Sequence, residues 1–139
     1  MSYQEKTIWL GLPIDLALLL GYSGWLLVQL QSTSAEAIDY KWVLIWVLIA
    51  GVVLSIISQI ILAIILHKQA NLEDVRDKEI RLRANSATLY FISIPFFLAI
   101  VFALQDVSNF HLVHLLYLGG SIANVLNSAV RLHYYRRGL

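Results

Sequence analysis

The chain has 139 residues, of which 59% are hydrophobic and only 14% are charged. A soluble domain carries about 25% charged residues, so this composition excludes a water-soluble globule with an ordinary polar surface. The net charge of +1 indicates no particular partner, and the absence of cysteine excludes disulfides, iron–sulfur clusters and thiol catalysis.

Four apolar runs are each long enough to cross a membrane, since a spanning helix needs about 20 mostly apolar residues. Asp15 interrupts the first run, which is also longer than the apolar core of a signal peptide, roughly 7–15 residues, so we expect it to stay uncleaved. Pro95 should kink the third helix rather than end it, because neighbouring helices can re-satisfy the freed carbonyl group. We predict one all-α domain, residues 1–139, an integral membrane four-helix bundle with helices at 8–30, 42–66, 72–104 and 112–133.

The Lys and Arg residues predict how these helices are oriented. Of the ten, only Lys41 lies between the first two runs or between the last two. Cytoplasmic segments are enriched in Lys and Arg, so both termini and the central segment should face the cytoplasm. The other nine are Lys6, Lys68, Arg76, Lys78, Arg81, Arg83, Arg131, Arg136 and Arg137.

The segment before the third apolar run, NLEDVRDKEIRLRAN at 71–85, is strongly charged. Asn71 can cap a helix, and three acid–base pairs follow at the favoured spacing of four residues: Asp74–Lys78, Asp77–Arg81 and Glu79–Arg83. We therefore predict that helix three begins near residue 72 and projects into the cytoplasm. Its charged side chains form either a solvated face with weak ion pairs or a docking surface for a cytoplasmic protein or for anionic lipid. The candidate docking residues are Asp74, Arg76, Asp77, Lys78, Arg81 and Arg83.

The stretch DVRDKEI at 74–80 resembles a D-E-R-D-x-x-I segment that precedes the third helix in a family of uncharacterised small bacterial inner-membrane proteins. The ending YYRRG at 134–138 is similar to the close of that family. Val75 departs from the pattern, because the family usually has an acid there. The resemblance covers about the second half of the chain. It implies a four-helix fold in a bacterial inner membrane, and it implies no catalytic activity.

Polar residues inside the apolar runs predict a buried polar cluster. Ionisable groups within a span are costly and mark a pathway, a pairing or a site by default. With alternating helix directions, several polar groups reach a similar depth, and Ser86 or Tyr90 of helix three should join them. The cluster either fixes helix register through hydrogen bonds, with Asp15 and Arg131 as a candidate pair, or lines a water-filled cavity or a proton- or ligand-linked site. Its predicted members are Asp15, Gln59, Asn124, Asn127 and Arg131.

Small residues four positions apart predict close helix contacts. Such spacing serves packing within one chain or between chains, so it leaves the oligomeric state open. The pairs are Ala17–Gly21, Gly51–Ser55 and Gly119–Ala123.

His111 and His114 are spaced like half of a metal site, but interfacial histidines are the favoured interpretation because no third ligand is convincingly placed. The sequence has neither a Gly-rich phosphate loop nor an H-E-x-x-H pattern, and its serines lack obvious His–acid partners. The basic residues lie close to the membrane instead of forming a separate domain, which argues against nucleic-acid binding. We therefore predict no catalytic residues and no cofactor.

Three functions remain open. The leading hypothesis is a non-enzymatic protein of the inner membrane that acts through a cytoplasmic or membrane partner, presenting the charged start of helix three. The first alternative is a small transporter or channel, assembled as a homo-oligomer, with Asp15 as the ion- or proton-coupling residue. The second alternative is an accessory subunit that binds lipid or pigment.

Overall fold

The structure, a computed structural model, describes residues 2–66 and 74–137. This part of the chain forms four long helices, and each is long and apolar enough to cross a membrane. The predicted all-α class with four such helices is therefore confirmed. In chain order they are α1 (Tyr3–Ser32), α2 (Lys41–Ile65), α3 (Val75–Leu104) and α4 (Asn109–Arg137), with a 3₁₀ turn at Ala35–Ala37.

Helices α1 and α4 extend beyond the apolar runs that predicted them. α1 begins at Tyr3, where Ser2 caps the helix by accepting a hydrogen bond from the backbone N–H of Glu5 at 3.2 Å. α4 covers Asn109–Arg137, against a predicted 112–133. An apolar run marks only the part of a helix suited to hydrocarbon, whereas the helix itself continues until its last backbone groups find caps or water.

α3 runs without a break from Val75 to Leu104, so Pro95 lies inside one continuous helix, as predicted. The kink at Pro95 stays a prediction. The predicted start near residue 72 is wrong, because Asp74 is extended, with φ −73° and ψ 153°, and occupies the N-cap position. Other predictions concern residues outside the described part of the chain: Lys68, Asn71 and Gly138.

α1 and α4 are the inner helices. α4 packs most extensively against α3 and then against α1, while α2 packs against α1. Within residues 2–66 and 74–137, α2 and α3 share no extensive contact.

The end of α4 lies near the start of α1, where the guanidinium carbon of Arg136 is 5.2 Å from the ring centroid of Trp9. We call this end of the molecule, where α1 and α3 begin and α4 ends, the termini end, and the opposite end the loop end.

Two of the three predicted small-residue pairs lie at helix–helix contacts. A methyl group on Gly119 would overlap the Pro95 ring, with only 2.6 Å to its Cγ, so α3 and α4 approach closely there. A methyl group on Gly51 would lie 3.3 Å from Leu18 Cδ1, a tight contact between α2 and α1. Gly21 of the third pair has open space around it.

The largest group of packed side chains lies at the loop end and is aromatic. His114 of α4 is buried there, with its ring centroid 4.1 Å from that of Phe110 and 4.8 Å from that of Tyr40. Aromatic pairs in such offset or edge-to-face arrangements add stability beyond their area. The buried members of the hydrophobic cluster are Tyr22, Leu26, Ile38, Tyr40, Leu44 and Phe110.

Candidate functional sites

The first candidate site is a polar contact near the middle of α1 and α4. The Asn124 side-chain nitrogen, Nδ2, donates a hydrogen bond to the Asp15 carboxylate, Oδ2, at 2.8 Å. Asp15 is half-buried and Asn124 is exposed on the surface of the chain. The contact therefore ties α1 to α4 while leaving the carboxylate within reach of a ligand.

A cavity of about 220 Å³ lies beside this contact, between α1, α2 and α4. Tyr117, Ser121 and Asn124 line it from α4, and their spacing of four and three residues puts them on one helix face. Asp15 lines it from α1. The apolar wall consists of Leu18, Val47, Leu48, Gly51 and Val52.

A second polar contact joins α4 to α3 one turn away. The two hydrogens of Asn127 Nδ2 are donated to Asn85 Oδ1 at 3.0 Å and to Thr88 Oγ1 at 2.8 Å. Thr88 in turn donates its hydroxyl hydrogen to the carbonyl oxygen of Ala84 at 2.8 Å. This contact contains neutral groups that satisfy one another, which is what a purely structural role requires.

The structure brings together only part of the predicted polar cluster. The hydrogen-bond donor to Asp15 is Asn124, whereas Arg131 was the candidate partner predicted from the sequence. Arg131 lies seven residues beyond Asn124, about 10 Å along the helix axis at 1.5 Å per residue. Gln59 is exposed on α2 and does not line the cavity.

The α3 residues that meet the cluster were mispredicted. Ser86 and Tyr90 are exposed, and the side chains that face Asn127 are Asn85 and Thr88. The sequence does contain a signal for which side of α3 faces α4. Small or short residues recur at helical spacing along one side of α3, and this side is the buried one. They are Ala84, Thr88, Pro95 and Ala99.

A third candidate site begins where the first turns of α3 pack on the end of α4. Asp77 is only 4% exposed, and its Oδ1 accepts a hydrogen bond from the Tyr135 hydroxyl at 2.7 Å. Arg76 donates to the carbonyl oxygen of Tyr135 at 3.4 Å. Ile80 is fully buried one turn further along. Asp77 therefore belongs to the contact between two helices and is not part of an open docking surface, which corrects its predicted placement there.

The opposite side of the same turns is open, and we call it the outward face of α3. Val75 and Leu82, seven residues apart and so on one side of the helix, are 81% and 55% exposed. Arg83 is paired with Glu79, whose Oε1 lies 2.7 Å from Arg83 Nη2, as the sequence predicted. The exposed residues of this face are Val75, Arg76, Lys78, Arg81, Leu82 and Arg83. Asp74, the remaining predicted docking residue, is exposed just before it.

Protein groups contact both ring nitrogens of His114 and one ring nitrogen of His111, the two histidines considered for metal binding. His114 Nδ1 lies 2.7 Å from the carbonyl oxygen of Phe110, so this nitrogen carries the proton. Nε2 then accepts from the Tyr22 hydroxyl at 2.7 Å, which leaves no lone pair for a metal. His111 Nδ1 lies 2.8 Å from the Ser108 hydroxyl. His114 is thus a buried residue of the helix packing, and its predicted position at the membrane interface stays a prediction.

Polar residues also line a cavity of about 410 Å³ beside Asn127 and one of about 550 Å³ at the loop end. Two other places are the strongest candidates for binding: the cavity beside Asp15 and the outward face of α3. The first holds a carboxylate among apolar walls, and the second holds exposed apolar side chains among cations. No protein-family model, curated protein or solved structure matches the chain.

Proposed function

We propose that the protein is a non-enzymatic integral membrane protein that acts through a cytoplasmic protein partner, and that this partner binds the outward face of α3. In this proposal the four helices span the inner membrane of a bacterium with both termini in the cytoplasm. The resemblance of the 74–80 segment to small bacterial inner-membrane proteins supports that location.

Membrane insertion is supported by the outer surfaces of α2 and α3. Their large apolar side chains are extensively exposed, which would be unfavourable in water and is expected where lipid surrounds a helix. The distribution of cations, nine against Lys41 alone, supports the orientation. Exposed apolar residues on these helices include Trp46, Ile49, Val52, Ile60, Ile64, Ile92, Phe96 and Phe97.

The observation that carries the proposal is the exposure of Val75 and Leu82 on an ordered helix, outside the predicted membrane run. Asp77 and Ile80 hold the other side of this helix against α4, so the outward face keeps a fixed orientation. An apolar strip between cations is complementary to an amphipathic partner surface with acidic edges. The apolar strip would supply the contact area, and the cations would steer and select an acidic partner.

The test places a photo-crosslinking amino acid at Leu82 in the protein in its own host. We expect one defined protein adduct at this position, which is lost when Arg76 and Lys78 are both changed to alanine. Lys41→Ala is the matched control, because it removes a cation from the loop end of the molecule. An adduct that persists unchanged in the double variant, or adducts with lipid alone, would overturn the proposal.

Orientation is tested in the same host by single-cysteine labelling, which is clean because the chain contains no cysteine. A cysteine at Ser2 should be protected from a membrane-impermeant thiol reagent, whereas one at Ser108 should react. The opposite pattern would place the outward face of α3 outside the cytoplasm and remove the cytoplasmic partner.

A second candidate function is transport by an oligomer, with Asp15 as the coupling residue. It is favoured by one observation, the accessible Asp15 carboxylate beside a cavity near the middle of α1. Intramembrane carboxylates are costly and commonly serve ion or proton pathways. In liposomes that contain the purified protein, proton-linked flux should disappear in Asp15→Asn and persist in Asn127→Ala. Flux that survives Asp15→Asn would exclude Asp15 from the mechanism.

A further inference from the structure

The cavity between α1, α2 and α4 has one polar side and one apolar side. Its polar side consists of the Asp15 carboxylate, the Asn124 amide and the hydroxyl groups of Tyr117 and Ser121. Its opposite side is formed by aliphatic side chains of α1 and α2. A ligand that fills it must therefore carry a polar group at one end of an apolar body.

The polar side favours a hydrogen-bond donor that carries a positive charge. Asp15 uses one oxygen, Oδ2, for the bond from Asn124, which leaves Oδ1 as an acceptor. Asn124 also lines the cavity, and its amide oxygen can serve as a second acceptor. Tyr117 and Ser121, four residues apart on α4, line the cavity beside these two acceptors.

The charge of Asp15 is not balanced within the cavity wall. None of the residues that line the cavity in the described chain is Lys, Arg or His. A carboxylate removed from water is strongly stabilised by a paired cation, so a cationic ligand gains more here than a neutral one of the same shape. The nearby Tyr117 ring can add a cation–π contribution.

The size of the cavity limits the apolar body of the ligand. A dry cavity of roughly 150 Å³ lined by aliphatic and aromatic side chains can hold benzene. The present cavity, at about 220 Å³, has room for a single ring and a short chain that ends in an ammonium group.

We propose that this cavity binds a small organic ammonium ion, with the ammonium group on Asp15 and the Asn124 amide oxygen and the apolar group against Leu18 and Val47. This proposal names a ligand class for the second candidate function. It takes only the location of the site from that function. Binding requires neither flux nor a second copy of the chain.

The test measures equilibrium binding to the full-length protein in lipid nanodiscs by isothermal titration calorimetry. The probe is phenethylammonium chloride, and the matched neutral probe is 2-phenylethanol. We expect saturable binding of one phenethylammonium ion per chain and no saturable binding of the alcohol. No saturable binding of phenethylammonium, or equal binding of the neutral alcohol, would overturn the proposal.

Three variants locate the binding. Asp15→Asn keeps an oxygen that can accept from Asn124 but removes the charge, and it should weaken binding by at least about tenfold. Val47→Phe fills the cavity without changing its charge and should also abolish binding, which keeps the test decisive if Asp15→Asn fails to fold. Asn127→Ala alters the neighbouring contact between α4 and α3 and should leave the affinity within about twofold of the wild-type value.

The outcomes separate this site from transport. Phenethylammonium binding that depends on Asp15, in a protein without measurable flux, supports the site and removes the second candidate function. Binding that is equal in Asp15→Asn, or in Val47→Phe, places the ion elsewhere and overturns the site even if flux is observed.

Discussion

The two sides of α4 differ in how its polar residues are used. Toward α3, Asn127 donates both amide hydrogens to neutral acceptors, and Pro95 packs directly against Gly119. Toward α1 and α2, Asn124 holds a carboxylate beside a cavity of about 220 Å³. The same residue type, three positions apart, therefore bonds to neutral groups beside a cavity of about 410 Å³ on one side, and holds a carboxylate beside a smaller cavity on the other.

This difference distinguishes polar residues that hold helices together from polar residues that remain available to a ligand. A group whose hydrogen-bonding capacity is met by its neighbours contributes to helix association, which in membranes is worth a fraction of a kcal/mol to about 2 kcal/mol per contact. A carboxylate with an unused oxygen beside a cavity contributes little to association and keeps its capacity for a ligand. Changes on the α3 side of α4 should therefore reduce stability, whereas changes at Asp15 should reduce binding.

The largest effect on stability is expected for Gly119→Ala. The added methyl group would overlap the Pro95 ring, which is attached to the backbone at two points and cannot rotate away, so α3 and α4 must separate. Overpacking of this kind costs about 1–3 kcal/mol. The measurement is reversible unfolding of the purified protein in mixed micelles.

Gly51→Ala is the matched control for Gly119→Ala. Its methyl group would meet the end of the flexible Leu18 side chain at 3.3 Å, so the cost should stay below about 1 kcal/mol. If the two variants lost equal stability, the α3–α4 interface would be no more tightly packed than the α1–α2 interface, and the comparison between the two sides of α4 would fail.

A smaller loss is expected for Asn127→Ala. The substitution removes the donor from Asn85 and Thr88 and should lower the free energy of unfolding by about 0.5–1.5 kcal/mol. Ser86→Ala is the control, since Ser86 is exposed one residue away from Asn85 and should change stability very little. Equal losses in the two variants would mean that the Asn127 contacts contribute nothing specific.

The fold could be predicted from the sequence where composition alone determines it. Four apolar runs predict four helices because each run can satisfy its backbone only as a helix in hydrocarbon. The helix ends were less accurate, since Ser2 and Asp74 set the starts of α1 and α3 from outside the apolar runs. Local backbone conformation thus determines details that hydropathy does not report.

The site could be predicted only in part, because it depends on helix rotation and stagger. Asp15, Asn124 and Asn127 were recognised as polar residues within apolar runs, but the pairing of Asp15 with Asn124 and the partners of Asn127 were not. Asn124 and Arg131 lie two turns apart on α4, so the axial position of α4 relative to α1 determines which of them meets Asp15. The rotation of α3 about its own axis determines that Thr88 faces α4. These quantities come from contacts such as Pro95 against Gly119, which join positions far apart in the sequence.

The smallest effect on stability is expected for Asp15→Asn, and it is the sharpest test of the comparison. The substituted amide can still present an oxygen to Asn124, so the tie between α1 and α4 should persist and the free energy of unfolding should change by less than about 0.5 kcal/mol. Asn124→Ala is the control, because it removes the donor and loses the tie. A loss above about 1 kcal/mol in Asp15→Asn would show that the carboxylate itself stabilises the fold. Unchanged stability together with lost phenethylammonium binding would instead establish that the charge of Asp15 serves to bind a ligand, because no contact within the chain would then depend on that charge.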